Sequence, residues 1–258
     1  MARLTPAPGF GPSCRRPRGL PAGGKSGQLA AMTSAAASLA VTDSDPTPHA
    51  VPASSLASNL TAKLCHDFAS PAGAIINGLD MMRDPDHVEM RDDLMAMVET
   101  SARKLLAMVH FDRVAYGAAT SSESFSAEEI EVLAQSAFLD IRPTLDWQCQ
   151  VERFNKPQAR AALNLAQIAG GTLATGGTVQ LRIVRQGDQL SLKADATGPR
   201  VRLKNEVATG LSGATLTEGM AGQWIQSYWL HTTVTEAGGT LAVTASEDRV
   251  EISLAMPI

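Results

Sequence analysis

Between residues 56 and 82, apolar residues recur at spacings of three, four and seven, which places them on one side of an α-helix. These positions are Leu56, Leu60, Leu64, Phe68, Ile75, Leu79 and Met82. The run Arg83-Asp84-Pro85-Asp86 interrupts the pattern, because proline disfavours helical conformation at the residue before it. We therefore predict a long amphipathic helix that ends near residue 82.

A second helical pattern covers residues 87–116, and Gly117 follows it as a typical C-terminal stop. Its apolar positions are Leu94, Met97, Val98, Leu105, Met108, Val109 and Phe111. Two long amphipathic helices joined by a tight turn form a helical hairpin. Since a lone hairpin cannot cover both apolar stripes, we expect two copies of the chain to pair as a four-helix bundle.

The remainder of the chain has the pattern of a mixed α/β domain. Helices are expected over residues 127–139, 157–169 and 223–236, and strands at 124–125, 145–151, 178–185, 189–196, 240–245 and 249–255. A glycine-rich, irregular loop is expected over 198–219, and Trp224, Tyr228 and Trp229 are expected to pack against the sheet. The fold class is therefore α+β, with a hairpin over residues 55–118 and a sheet covered by helices on one face over 119–258.

The first 54 residues differ from the rest in composition. They contain five basic residues but no acidic residue before Asp43, and Pro, Gly, Ala and Ser dominate. Such a segment cannot bury enough apolar surface to offset the entropy of ordering it, so we predict a disordered leader. There are two alternatives: a transit peptide, or a start codon assigned upstream of a true start at Met32. The segment lacks the apolar core of a secretory signal.

Charge and cysteine content narrow the function classes. A formal net charge of −4 argues against a nucleic-acid-binding protein, which needs a basic face. The three cysteines are widely spaced and form neither a disulfide framework nor a CxxC metal site, which favours a reducing compartment such as the cytoplasm. The sequence has no run of about 18 apolar residues, so we expect no membrane span.

The strongest candidate for chemistry is His66, which the helical pattern places about 200° around the axis from Leu64 and therefore away from the apolar stripe. A single imidazole without a second His or Cys at ligand spacing is a poor metal site, and no GxSxG motif indicates a serine hydrolase. A neutral imidazole is a good nucleophile near pH 7, so phosphoryl acceptance fits best. The alternative is a surface histidine without a role.

Four neighbours of His66 are candidate site residues. Asp67 is able to orient the imidazole, and we assign it to the catalytic site with His66. Lys63, one turn earlier, either offsets phosphoryl charge or is an ordinary solvated lysine. Ser70 and Asn77, one and three turns later, are predicted to contact the phosphoryl group or a docked partner. We predict no metal or cofactor ligand.

The run His66-Asp67-Phe68-Ala69-Ser70-Pro71 resembles the histidine box of two-component signalling proteins. With the preceding Leu64-Cys65 and residues 73–79, it is similar to the ChpT family of histidine phosphotransferases, and the similarity extends over residues 56–258. The resemblance implies a homodimer whose paired hairpins form the four-helix bundle. It also implies that an α/β sandwich domain follows, related to the ATP-binding domain of histidine kinases but no longer able to bind nucleotide.

The residues that such a kinase domain needs for nucleotide are incomplete here. Asn164 is retained on its helix, but Ile168 stands where a metal-binding asparagine is expected. The segment Asp195-Ala196-Thr197-Gly198-Pro199-Arg200 is similar to the adenine-binding loop yet lacks its second glycine. No GxGLG precedes Gln223, so the backbone cradle for phosphates is missing. We expect a retained fold with a degenerate nucleotide site.

The resemblance implies that His66 accepts a phosphoryl group from the receiver aspartate of a CckA-type hybrid histidine kinase and passes it to CtrA- or CpdR-type response regulators. The chain would bind no cofactor itself, because the partner receiver domain supplies Mg²⁺. Two alternatives remain open at this point: an ATP-dependent histidine kinase, and a non-catalytic scaffold that docks receiver domains.

Overall fold

A computed structural model describes residues 51–117 and 124–258 of the chain. Helix α1 covers Ala53–Arg83 and helix α2 covers Arg91–Ala115, with a short 3-10 helix, Pro85–Met90, between them. The break begins at Asp84, which has extended backbone and whose carboxylate accepts a hydrogen bond from the backbone N–H of Asp86 at 3.0 Å. Both predicted helices and the interruption between them are confirmed, but α2 begins at Arg91, later than the predicted start at residue 87, because the 3-10 helix occupies residues 85–90. The expected leader lies, up to residue 50, outside the described residues.

The rest of the chain alternates between short helices and strands. The strands are β1 Ser124–Ser126, β2 Thr144–Cys149, β3 Arg153–Asn155, β4 Thr178–Gln186, β5 Gln189–Thr197, β6 Thr240–Ala245 and β7 Arg249–Pro257. The helices are α3 Ala127–Ser136, α4 Lys156–Gly171, α5 Asn205–Leu211 and α6 Ala221–Glu236. Five strands form a mixed sheet in the order β2-β4-β5-β7-β6, in which only β2 and β4 are parallel, and β1 and β3 form a separate antiparallel ribbon.

One face of the five-stranded sheet is buried and the other faces solvent. Along β4 the side chains of Val179, Leu181 and Ile183 are buried, whereas Gln180 and Arg182 alternate with them on the outer face. The same period-two pattern runs along β5 and β7. Helix α4 is buried along most of its length against this inner face. The predicted α+β class, with helices on one face of the sheet, is confirmed.

Two elements were wrong in the sequence-based expectation. The predicted irregular loop over 198–219 contains helix α5, and the three-residue strand β3 was not predicted. Helix α5 is stabilised by tertiary packing, since Gly210 crosses α6 so closely that a β-carbon there would lie 2.6 Å from the Trp224 carbonyl oxygen. Pattern analysis fails for such short elements because their partners are remote in sequence.

The hairpin packs directly on the α/β domain through a small apolar cluster. Its buried members Trp224, Ile225 and Tyr228 on α6 contact Leu56 and Leu60 of α1. The rings of Trp224 and Tyr228 lie 4.8 Å apart. Because both side chains contact the hairpin, their expected packing against the sheet is wrong. The cluster fixes the start of α1 against α6.

The end of α2 is bound to the α/β domain by hydrogen bonds. The carbonyl oxygen of Ala115, at the end of α2, accepts from Trp229 Nε1 at 2.9 Å and from Asn164 Nδ2 at 3.4 Å. The Arg160 guanidinium donates to the Gly117 carbonyl and lies over the Trp229 ring. The start of α1 and the end of α2 are therefore both attached to the α/β domain. Within the described ranges, no helix combines the length and the apolar character needed to cross a membrane.

Candidate functional site

His66 lies on the outer face of α1, where its side chain is 89% exposed. Leu64 on the same helix is half-buried, and Pro71, one turn later, is fully buried. The orientation expected from helical geometry is therefore correct. An imidazole this exposed can be reached by a protein-sized partner without any rearrangement of the chain.

Asp67 contacts the imidazole from the next position in the helix. Its Oδ1 lies 3.3 Å from His66 Nδ1, and its side chain is 30% exposed. An ionised carboxylate can only accept a hydrogen bond, so this contact requires the proton of a neutral imidazole to sit on Nδ1. The lone pair of Nε2 then points to solvent, available for nucleophilic attack.

Lys63 is held inside the site. Its Nζ lies 2.5 Å from Asp67 Oδ2, its side chain is only 11% exposed, and the amine lies 5.6 Å from the centroid of the ring of Tyr116, which directly follows α2. The interpretation of Lys63 as an ordinary solvated lysine is therefore wrong. The amine is paired with Asp67.

Ser70 and Asn77 are both exposed on α1, on the side of His66. Asn77 follows His66 by eleven residues, which corresponds to a separation of about 16 Å along the helix axis. At that distance Asn77 can touch a docked protein but not a phosphoryl group on His66. Ser70, one turn away, remains within reach of both.

Asp112 on α2 is a site residue that the sequence analysis missed. Burial raises the pKa of its carboxyl from 3.8 to about 6, against the opposing effect of the Lys63 charge and with a further increase from Asp67. Burial, with the charges of Asp112 and Asp67, also raises the pKa of Tyr116 well above its ordinary value. The available signal was a carboxylate between the apolar residues Phe111 and Val114.

Two clefts meet at the Lys63–Asp67 pair. The larger, of about 610 Å³, separates α1 from α4 and α6 and includes His66, Gln167, Arg202 and Lys204 in its walls. The smaller, of about 380 Å³, lies between the hairpin and the segment that contains α3. Its charged lining residues are Lys63, Asp67, Arg103, Lys104, Asp112 and Asp140.

Arg202 and Lys204 were also missed by the sequence analysis. Both are exposed in the segment before α5, and with Lys63 they give the larger cleft three cations against the single carboxylate of Asp67. Their sequence signal was the alternation Val201-Arg202-Leu203-Lys204, which lay inside the segment predicted to be an irregular loop.

The positions expected from a nucleotide site have other contacts. Asn164 is fully buried, donates to the carbonyl oxygens of Arg160 and Ala115, and accepts from Gln226 Nε2 at 3.4 Å. Asp195 lies on the outer face of the sheet, where its Oδ1 accepts from Arg249 Nε at 2.7 Å. It faces away from the helices because side chains alternate along β5. Among the described residues, no cluster of three or more His, Cys, Asp or Glu is arranged to hold a metal ion.

The buried carboxyl of Asp112 makes stability depend on pH. Because its folded-state pKa is raised, ionisation of Asp112 lowers the free energy of unfolding. This loss of stability is absent below pH 3.8, grows up to about pH 6 and is complete above it. Asp112→Asn removes this loss, so its stability relative to the wild type should rise by about 2 kcal/mol between about pH 4.5 and pH 7.5. Urea unfolding at both pH values measures the difference, with the exposed Asp80→Asn as control. A difference independent of pH would contradict the assignment.

Known proteins resemble this chain over most of its length. The family model described as "Histidine phosphotransferase C-terminal domain" matches residues 127–249. A protein of Brucella abortus (strain 2308) named "Protein phosphotransferase ChpT" is 27% identical over 207 residues, which cover 80% of this chain and 98% of that protein. A solved structure described as "1.7 Angstrom Structure of a Bacterial Phosphotransferase" matches with a TM-score of 0.71 and 26% identity, again over 80% of this chain and 98% of the other. The resemblance of this chain to the ChpT family of histidine phosphotransferases is thereby confirmed.

Proposed function

We propose that the chain is a histidine phosphotransferase of a two-component phosphorelay. His66 would accept a phosphoryl group from the receiver aspartate of a CckA-type hybrid histidine kinase and pass it to CtrA- or CpdR-type response regulators. The observation that carries the proposal is the exposed His66 imidazole, with Asp67 at its Nδ1 and an unobstructed Nε2. The similarity to a protein named as a phosphotransferase supports the same reaction class.

The transfer needs only the imidazole as a reacting group. The Nε2 lone pair attacks phosphorus, the bond from phosphorus to the receiver carboxylate oxygen breaks, and that carboxylate leaves with the electron pair. The product is an imidazolium that keeps its Nδ1 proton, and Asp67 stabilises the positive charge. In the second step a receiver carboxylate attacks phosphorus, the N–P bond breaks, and His66 leaves as a neutral imidazole. No proton has to enter or leave in either direction.

The larger cleft supports a receiver domain as the partner. A receiver presents an acidic pocket with its Mg²⁺ and the reactive aspartate, and Arg202 and Lys204 supply the complementary charge beside His66. Charge neutralisation and positioning are the main requirements of phosphoryl transfer, and a docked receiver supplies most of both. Ser70 and Asn77 extend the same exposed side of α1 as further contacts for the partner.

An ATP-dependent kinase is less well supported. Asn164 is engaged in contacts within the protein, Ile168 has no side-chain donor or acceptor for a metal ion, and Asp195 pairs with Arg249 on the outer face of the sheet. These residues do not fit a bound nucleotide with its metal ion. We therefore propose that the chain uses no cofactor of its own and that Mg²⁺ comes with the partner receiver.

We further propose that the chain acts as a homodimer, with the paired hairpins forming a four-helix bundle. The hairpin exposes large apolar side chains that the α/β domain leaves uncovered: Ile76, Met81, Val88, Met90, Met95, Met97, Leu106 and Val109. A second hairpin of the same sequence offers the matching apolar surface. This arrangement would leave His66, which lies in the wall of the larger cleft, open to a receiver.

Phosphotransfer from a receiver tests the proposed function. A receiver domain of a hybrid histidine kinase, carrying labelled phosphate on its aspartate, is mixed with the wild type, with His66→Ala and with His110→Ala. His110 is a matched control, since it is another exposed histidine of the hairpin. We expect acid-labile label on the wild type and on His110→Ala, and background label on His66→Ala. Equal label on His66→Ala would contradict the assignment, and a cellular role that survives this substitution would favour the scaffold.

Light scattering tests the dimer. At micromolar concentration the wild type should have twice the mass of one chain, and Leu106→Glu should have the mass of a single chain. Leu106 is 56% exposed on α2, so a charge there would disturb the interface and not the fold of one chain. Leu139→Glu, at an even more exposed position outside the hairpin, should remain dimeric. A monomeric wild type, or a dimeric Leu106→Glu, would contradict the proposed bundle.

A further inference from the structure

The ion pair of Lys63 differs from the other ion pairs of the hairpin. Arg83 and Asp80 on α1 are 78% and 63% exposed, and Arg103 and Glu99 on α2 are also largely exposed. Exposed pairs of this kind contribute little to stability. The Lys63 side chain is instead only 11% exposed, so its amine is largely removed from water next to Asp67, which contacts His66.

Three groups compensate the desolvated amine of Lys63. Asp67 Oδ2 pairs with it at 2.5 Å, the face of the Tyr116 ring lies 5.6 Å away, and the Asp112 carboxyl on α2 is close enough for the two charges to affect each other. Removing a lysine from water is costly, so such a placement persists where its partners are well arranged. Residues of both hairpin helices therefore fix the amine in one position.

The fixed amine determines the orientation of the Asp67 carboxylate. With Oδ2 bound to Lys63, Oδ1 is the oxygen that faces His66 Nδ1 at 3.3 Å. Without Lys63, the carboxylate of Asp67, which is partly exposed, would be free to rotate toward water and would cease to select the Nδ1–H tautomer. Since only that tautomer leaves the Nε2 lone pair free, the effect of Lys63 reaches the nucleophile through Asp67.

We propose that Lys63 is a positioning residue for His66, which holds Asp67 in the orientation that keeps the proton on Nδ1 and Nε2 ready to accept the phosphoryl group. The proposal rests on the proposed phosphotransfer and gives Lys63 a role other than direct contact with the phosphoryl group. Asp112 and Tyr116 act behind it, because they fix the amine from the C-terminal end of α2. Lys63 touches no reacting atom, so its effect must appear in the state of the His66 ring.

The test compares Lys63→Met with Arg83→Met, which removes an exposed ion pair from the same helix. Nitrogen NMR of the imidazole in each full-length variant reports the tautomer of His66, and single-turnover transfer from a labelled receiver reports the rate. In Lys63→Met we expect the ring to shift toward the Nε2–H tautomer and transfer to slow by about tenfold, the scale on which loss of an orienting partner acts. Arg83→Met should match the wild type in both measurements.

A second variant keeps the test decisive if Lys63→Met fails to fold. Lys63→Gln retains a hydrogen-bond donor to Asp67 without the charge, and we expect its tautomer ratio to lie between those of the wild type and Lys63→Met. A His66 tautomer ratio unchanged from the wild type in either folded variant would overturn the proposal. If the wild type accepts no label but the tautomer still shifts, the positioning role stands and the proposed phosphotransfer fails.

Discussion

The hydrogen bonds to the carbonyl groups at the end of α2 hold the hairpin and the α/β domain together. A helix leaves its last carbonyl oxygens without partners, and a buried one that stays unpaired costs about 1 to 3 kcal/mol. Here Ala115 and Gly117 receive their hydrogen bonds from the α/β domain, through Asn164, Trp229 and Arg160. Separating the hairpin from the domain would leave both carbonyl groups and their three donor side chains without these hydrogen bonds. The hairpin and the domain are therefore held in one arrangement, and His66 faces a cleft of defined shape.

The same contact engages the amide of Asn164, a residue that the sequence analysis considered as part of a nucleotide site. Its amide nitrogen joins the end of α2 to α4, and its oxygen accepts a hydrogen bond from Gln226. We propose that the domain acts as a support for the hairpin and as one wall of the docking cleft, which Arg202 and Lys204 line with positive charge.

The periodicity of apolar residues predicted much of the fold but only part of the candidate site. The stripe from Leu56 to Met82 fixed the first helix and the outward orientation of His66, because both depend on local geometry alone. Helix α5, Asp112 and the packing of Trp224 on α1 could not be predicted. Helix α5 depends on packing against α6, Trp224 on contacts with Leu56 and Leu60 far away in sequence, and Asp112 on burial. The burial of Lys63 belongs to the same class, since a lysine on an amphipathic helix gives no sequence signal of which way its amine turns.

We propose that His66 receives its phosphoryl group from another protein and not from ATP. The most direct measurement follows label on the full-length chain with two donors in parallel: γ-labelled ATP with Mg²⁺, and a receiver domain labelled on its aspartate with Mg²⁺. We expect rapid, acid-labile label from the receiver and none from ATP over the same period. Label that appears from ATP and Mg²⁺ alone would contradict it and would identify the chain as a working kinase.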